Sequence, residues 1–224
     1  MFISIDGSSR RNGKPDCNAA GSAYIREKGA LCYAHEFGST NQCGELMGAI
    51  QGLTAAYAYA LDGQEDFVIV TDSEYVFNMI RNGWTYTWSR SDWRGSNGEV
   101  VKNKHHIEKL HGLLERLDYL EVEVVMFHIK GHLVSLGDVT ARKLLDADAT
   151  GEELYKAASN KYEVRKKSHP HLFENAYEVF KKNNGDMVPE DTFKEIVLLN
   201  TVADYAASMY MNKVDAAYHA NKAE

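Results

Sequence analysis

Apolar and polar positions alternate from the first residue. Met1, Ile3 and Ile5 fall on one face and Phe2, Ser4 and Asp6 on the other, which predicts a strand with Asp6 near its end. A polar stretch from Gly7 to Asn18 follows, and residues 21–38 read as a hairpin turning at Glu27-Lys28-Gly29. From Glu45 to Leu61 the period lengthens: Leu46, Ala49, Ile50, Leu53, Tyr57 and Leu61 make one helical stripe, preceded by the capping-competent Thr40-Asn41-Gln42. Glu45 is expected in the first turn, where an acid also suits the helix dipole. Phe67 to Val70 is an unbroken apolar run, as for a strand covered on both faces. Asp72 follows at its carboxyl end, where open α/β sheets bind ligands. Helices are expected over 73–80, 99–118 and 200–212, and a strand over 122–129 that leaves through Lys130-Gly131-His132.

Residues 133–199 carry further helical patterns, over 138–148, 151–166, 172–183 and 189–199, with charges of both signs and no repeat. They read as an ordered helical insertion. Arg165-Lys166-Lys167 in it is either a phosphate contact or, more commonly, a solvated helix end. The expected architecture is α/β: a five-stranded mixed sheet flanked by helices, formed by residues 1–132 and 200–224, plus the helical insertion 133–199.

A chain of 224 residues with 44% apolar residues can bury a substantial core. It has no apolar run of the roughly 20 residues a membrane span requires and no signal-peptide pattern, so a cytoplasmic protein that avoids membranes is expected. Cys17, Cys32 and Cys43 are odd in number and lack metal-ligand spacing, as for free thiols in a reducing compartment. The net charge of −7 disfavours a protein that coats nucleic acid, yet leaves room for one basic patch beside an acidic centre.

Asp6, Glu45, Asp72 and Asp204 each lie beside an element end or on a helix whose apolar neighbours draw it toward the core. Clustered carboxylates repel unless cations hold them, which points to a hard divalent metal and metal-assisted phosphodiester chemistry. Taken alone, Glu45 is also an ordinary helix-start glutamate and His132 an ordinary loop histidine.

At this point the motifs match a family. Asp6-Gly7-Ser8, Asn41-Gln42-Cys43-Gly44-Glu45-Leu46-Met47, Thr71-Asp72-Ser73-Glu74, His128-Ile129-Lys130-Gly131-His132 and Asn200-Thr201-Val202-Ala203-Asp204 occur in the order seen in type 1 ribonuclease H, which the chain resembles. Trp84 to Trp88, Trp93 and Val101-Lys102-Asn103 resemble that family's tryptophan-bearing handle. The resemblance implies hydrolysis of the RNA strand of an RNA–DNA hybrid with two Mg²⁺ ions (Mn²⁺ as a substitute), leaving 5′-phosphate and 3′-hydroxyl ends. It implies Asp6 bridging both ions, Glu45 and Asp72 on one, Asp204 on the other, and His132 shuttling protons. Asn12, Gln42 and Glu45 would contact the RNA strand, Thr40 and Asn41 a DNA phosphate, and Trp84, Trp88 and Trp93 the DNA strand, with Lys102 in the same patch. The tryptophans can equally be core of the handle.

Three departures stand out. The insertion replaces a short loop, Gln42 and Glu74 replace the usual asparagine and glutamine, and the handle is poor in lysine. Arg81, Arg90, Arg94, Lys102 and Lys104 face only Asp92 and Glu99 there, so hybrid binding should be weak and steeply salt-dependent. Asp138, just after the histidine turn, competes with Asp204 for the fourth position. Other readings are a two-metal nuclease of this fold acting on DNA, a non-catalytic hybrid-binding module and a structural Ca²⁺ domain; the last lacks any Asp-x-Asp-x-Asp-Gly loop. RNA-primer removal during DNA replication, in a bacterium or phage-infected host, is the biology implied. A monomer is expected, with the insertion available for a replication partner.

Overall fold

The computed structural model describes residues 1–220 except positions 15, 138, 139, 142, 145, 146 and 186. Asp138 and much of the helix expected over 138–148 therefore lie outside the described residues. Five strands form one mixed sheet: β1 (Phe2–Arg10), β2 (Asn18–Ile25), β3 (Ala30–Phe37), β4 (Asp66–Thr71) and β5 (Glu123–His128). The order across the sheet is β3-β2-β1-β4-β5. β1, β2 and β3 run antiparallel in sequence, while β4 pairs parallel with β1 and with β5. The strand alternation holds at the start of β1, but the strand continues past Asp6 to Arg10 because Gly7 to Arg10 pair with Gly21 to Asn18.

Seven helices are described: α1 (Asn41–Leu61), α2 (Glu74–Arg81), α3 (Trp84–Arg90), α4 (Lys104–Tyr119), α5 (Gly151–Ser168), α6 (Pro170–Asn184) and α7 (Glu190–Ala220). Two cores lie on the two faces of the sheet. On one, Ile3, Ile5, Ile25, Phe67 and Ile69 pack with Leu46 and Leu53 of α1, Val76 of α2, and Ile107, Leu110 and Leu114 of α4. On the other, Tyr24 and Val70 pack with Leu154, Ala158 and Tyr162 of α5, Phe173 and Phe180 of α6, and Phe193, Ile196 and Val202 of α7. The helices of residues 151–199 are thus the cover of a sheet face rather than an appended lobe. A core of this extent is the dominant stabilising term for the domain.

Besides the longer β1, the helices differ from the sequence reading in four places. The helices expected over 189–199 and 200–212 are one unbroken α7, because no glycine or proline interrupts Glu190 to Ala220. The helix expected from residue 99 starts at Lys104, after Asn103 turns the chain with a φ of 58°. α1 starts at Asn41, so Glu45 lies beyond the first turn. The N-cap Thr40 makes no capping hydrogen bond; its Oγ1 lies 3.6 Å from Cys43 Sγ instead. By contrast Ser73 caps α2, accepting from Val76 N at 3.4 Å. No described helix is long and apolar enough to cross a membrane.

Candidate active site

Strand register places the first two acids. Ser4 of β1 pairs with Val70 of β4 in parallel, so two residues further on Asp6, within β1, stands beside Asp72, which follows the carboxyl end of β4. Ile3 and Ile5 point into the α1 core, which turns Asp6 to the opposite face, the one α7 covers. Asp6 is 5% exposed, and its Oδ1 accepts from Gly7 N at 2.7 Å.

Glu45 arrives by close packing of α1 on β1 and β2. A Cβ on Gly7 would come within 2.2 Å of Glu45 N, so only glycine lets the helix backbone lie this close to the strand. Oxygens of Asp6, Glu45 and Asp72 all lie within 4.8 Å of one another. Asn41, one turn earlier on α1, donates from Nδ2 to Glu45 Oε1 at 3.4 Å.

The fourth acid comes from α7. Ser22 of β2 donates from Oγ to the Ala203 carbonyl at 2.8 Å and fixes the helix on the sheet where Asp204 follows. Asp204 Oδ2 lies 3.2 Å from His132 Nδ1. His132 occupies the turn after β5 with a φ of 60°, and its side chain is 79% exposed. A Cβ on Gly131 would lie 2.0 Å from Asp72 Oδ2, so any larger residue there would displace the Asp72 carboxylate or the turn. His128 Nε2 sits 3.2 Å from the Asp72 carbonyl oxygen.

The electrostatics agree with a cluster. Burial, then Asp72, Glu45 and Asp204, holds the Asp6 carboxyl well above the usual range. Burial and Asp72 push Glu45 up to about 8. Burial also raises Asp72 and Asp204, with His132 opposing in both. Among the described residues, no lysine or arginine forms an ion pair with any of the four. Asn200, one helical turn before Asp204, lies near enough to Asp72 to lower it, and its buried Nδ2 has no hydrogen-bond partner. Hard oxygen donors, surplus negative charge and a buried unpartnered amide together fit a site for divalent cations and their water. Asn200 stands at the cluster, whereas the sequence reading took it only as part of the motif that carries Asp204.

The remaining candidates divide. Asn12 reaches this region: its Oδ1 accepts from Asn41 N at 3.3 Å, next to Thr40. Gln42 and Lys102 are exposed. Trp88 and Trp93 pack against the α1/α4 core, Trp93 edge-on to His111, whereas Trp84 is 36% exposed. On the second sheet face, Lys166 is engaged by Glu190 at 2.7 Å, while Arg165 is half-buried.

The RNase H family model matches residues 1–149. A Ribonuclease H of Caldicellulosiruptor saccharolyticus is 31% identical over 65% of this chain and 95% of that protein. One of Tolumonas auensis is 33% identical over 59% of this chain and 78% of its own length. A solved structure, RNase H1 from the halophilic archaeon Halobacterium salinarum NRC-1, superposes with a TM-score of 0.38 at 16% identity, covering 58% of this chain and 85% of that one, a likeness too loose to add weight. With motifs, buried acid cluster and sequence matches in agreement, the chain belongs to the ribonuclease H family.

Proposed function

We propose that the protein hydrolyses the RNA strand of RNA–DNA hybrids at the acid cluster, leaving 5′-phosphate and 3′-hydroxyl ends. The observation that carries this is the convergence of Asp6, Glu45 and Asp72, with Asp204 beside them, in a buried site that holds no compensating lysine or arginine among the described residues. Asp6 is central and would bridge two Mg²⁺ ions (or Mn²⁺), with Glu45 and Asp72 on one and Asp204 on the other. Such ions supply charge neutralisation and water activation for an in-line displacement when bound.

The chain's own groups do the rest. His132, exposed and anchored through Nδ1 to Asp204, is placed to carry a proton between site and solvent. Asn41 orients the carboxylate of Glu45, and Asn200 stands beside Asp72. Asn12, Gln42 and Glu45 would meet the RNA strand, where 2′-hydroxyls distinguish it from DNA. Thr40 and Asn41 would take a phosphate. Trp84 offers the exposed ring of the handle, with Lys102 nearby in sequence; Trp88 and Trp93 mainly support it. Because backbone and shape are read, base preference should be slight. We place the activity in the cytoplasm, in a monomer, with RNA-primer removal as its setting and residues 133–199 as the face open to a replication partner.

The test is cleavage of end-labelled RNA–DNA hybrid, DNA duplex and RNA duplex of one sequence in Mg²⁺. RNA cleavage confined to the hybrid, with 3′-hydroxyl ends, is expected. Equal cleavage of the DNA duplex would favour a DNA nuclease on this fold instead.

A further inference from the structure

A second cluster of metal-ligating groups lies on different elements from the acids. Glu36 on the edge strand β3 meets His105 and His106 in the first turn of α4, and one donor atom from each lies within 4.8 Å of the others. His106 is buried, and its Nε2 is 2.6 Å from Glu36 Oε2; His105 Nε2 is 3.8 Å from the same oxygen. An open pocket of about 380 Å³ gives access, lined also by His35, Gln51 and Lys109.

The donor set selects the ion. Two imidazoles and a carboxylate suit Zn²⁺ and suit Mg²⁺ poorly. Donors at about 2.1 Å from a tetrahedral ion stand about 3.4 Å apart, and the two distances to Glu36 bracket that spacing, so small side-chain movements complete the geometry. The pocket leaves a fourth position open to water. The alternative is a plain hydrogen bond between His106 and Glu36, in which His105 has no part.

We propose that Glu36, His105 and His106 form a Zn²⁺ site separate from the acid cluster. The ion clips the sheet's edge strand to the start of α4. It thereby anchors the root of the loop that carries Trp93 and Lys102, since α4 begins directly after Asn103.

Zn²⁺ titration by calorimetry and by thermal melting, in millimolar Mg²⁺, tests this on four forms: wild type, Asp72→Asn, His105→Ala and His106→Ala. One Zn²⁺ per chain is expected in wild type and in Asp72→Asn, with a melting point about 5–10 °C higher at a hundredfold excess over Kd. Both histidine variants should bind at least tenfold more weakly. His105→Ala is decisive, because it removes an exposed ligand and leaves the His106–Glu36 hydrogen bond in place. Undiminished binding in His105→Ala, or uptake lost only in Asp72→Asn, overturns the proposal. The readout is binding, so it stands or falls independently of hybrid cleavage.

Discussion

Glu45→Gln in the absence of divalent ions should make the protein more stable while abolishing cleavage. Burial and the neighbouring Asp72 raise the Glu45 carboxyl from 4.5 to about 8. Below about pH 4.5 the group is protonated in folded and unfolded chains alike, and its burial carries no ionisation cost. Between pH 4.5 and 8 the unfolded chain releases the proton while the folded chain retains it, so stability falls as pH rises; above about 8 the deficit is complete. A displacement of that size corresponds to a deficit on the order of 3–5 kcal/mol. Glutamine keeps the shape and an oxygen to accept from Asn41 without the charge. At roughly 2–4 °C per kcal/mol for a chain of this length, the variant should melt about 6–20 °C above wild type at pH 9 in EDTA. The gap should close toward pH 4.5. Melting curves followed by circular dichroism across this range, with chelator, provide the measurement. A variant that melts at or below wild type at pH 9 refutes the electrostatic reasoning, and a gap that grows toward low pH refutes its sign.

Three further outcomes are expected. His132→Ala should lower kcat about 10²-fold with KM nearly unchanged, since the ring moves protons rather than binding substrate; a change confined to KM would count against it. Gly131→Ala should cost more than tenfold in activity at near-normal stability, because its Cβ would overlap Asp72 Oδ2 and push the histidine turn away; full activity would contradict the packing. Phe193→Ala should lower the melting point by about 6–20 °C, because Phe193 is 1% exposed and packs at a tilt against Tyr177 and Phe180 in the second core. A change under about 2 °C would mean that residues 151–199 are not part of the cooperative fold.

Much of this was legible in the sequence because it rests on local period. The Ile3/Ile5 alternation sets the orientation of Asp6, and the Leu46-to-Leu53 stripe seats α1, so both acids follow from pattern. Asp72 follows from its place at the end of an apolar run. What the pattern could not give was long-range. It showed that residues 151–199 are helices with apolar faces, but not that those faces cover the sheet through Tyr24 and Val70. A motif boundary at Asn200 read as an element boundary, although nothing in the backbone chemistry breaks α7 there. The approach of Glu36 to His106 spans 70 positions and leaves no periodic trace. Whether a tryptophan is buried or displayed depends equally on distant partners, which is how Trp93 comes to pack on His111.

The central claim is that four acids, the last supplied by α7 across the helical insertion, make one metal-dependent centre. It is tested most directly by measuring Mg²⁺-dependent cleavage of a labelled RNA–DNA hybrid by wild type, Asp204→Asn and Asp138→Asn. Asp204→Asn should lose at least 10²-fold in activity, and Asp138→Asn should stay near normal. An active Asp204→Asn beside an inactive Asp138→Asn would contradict it.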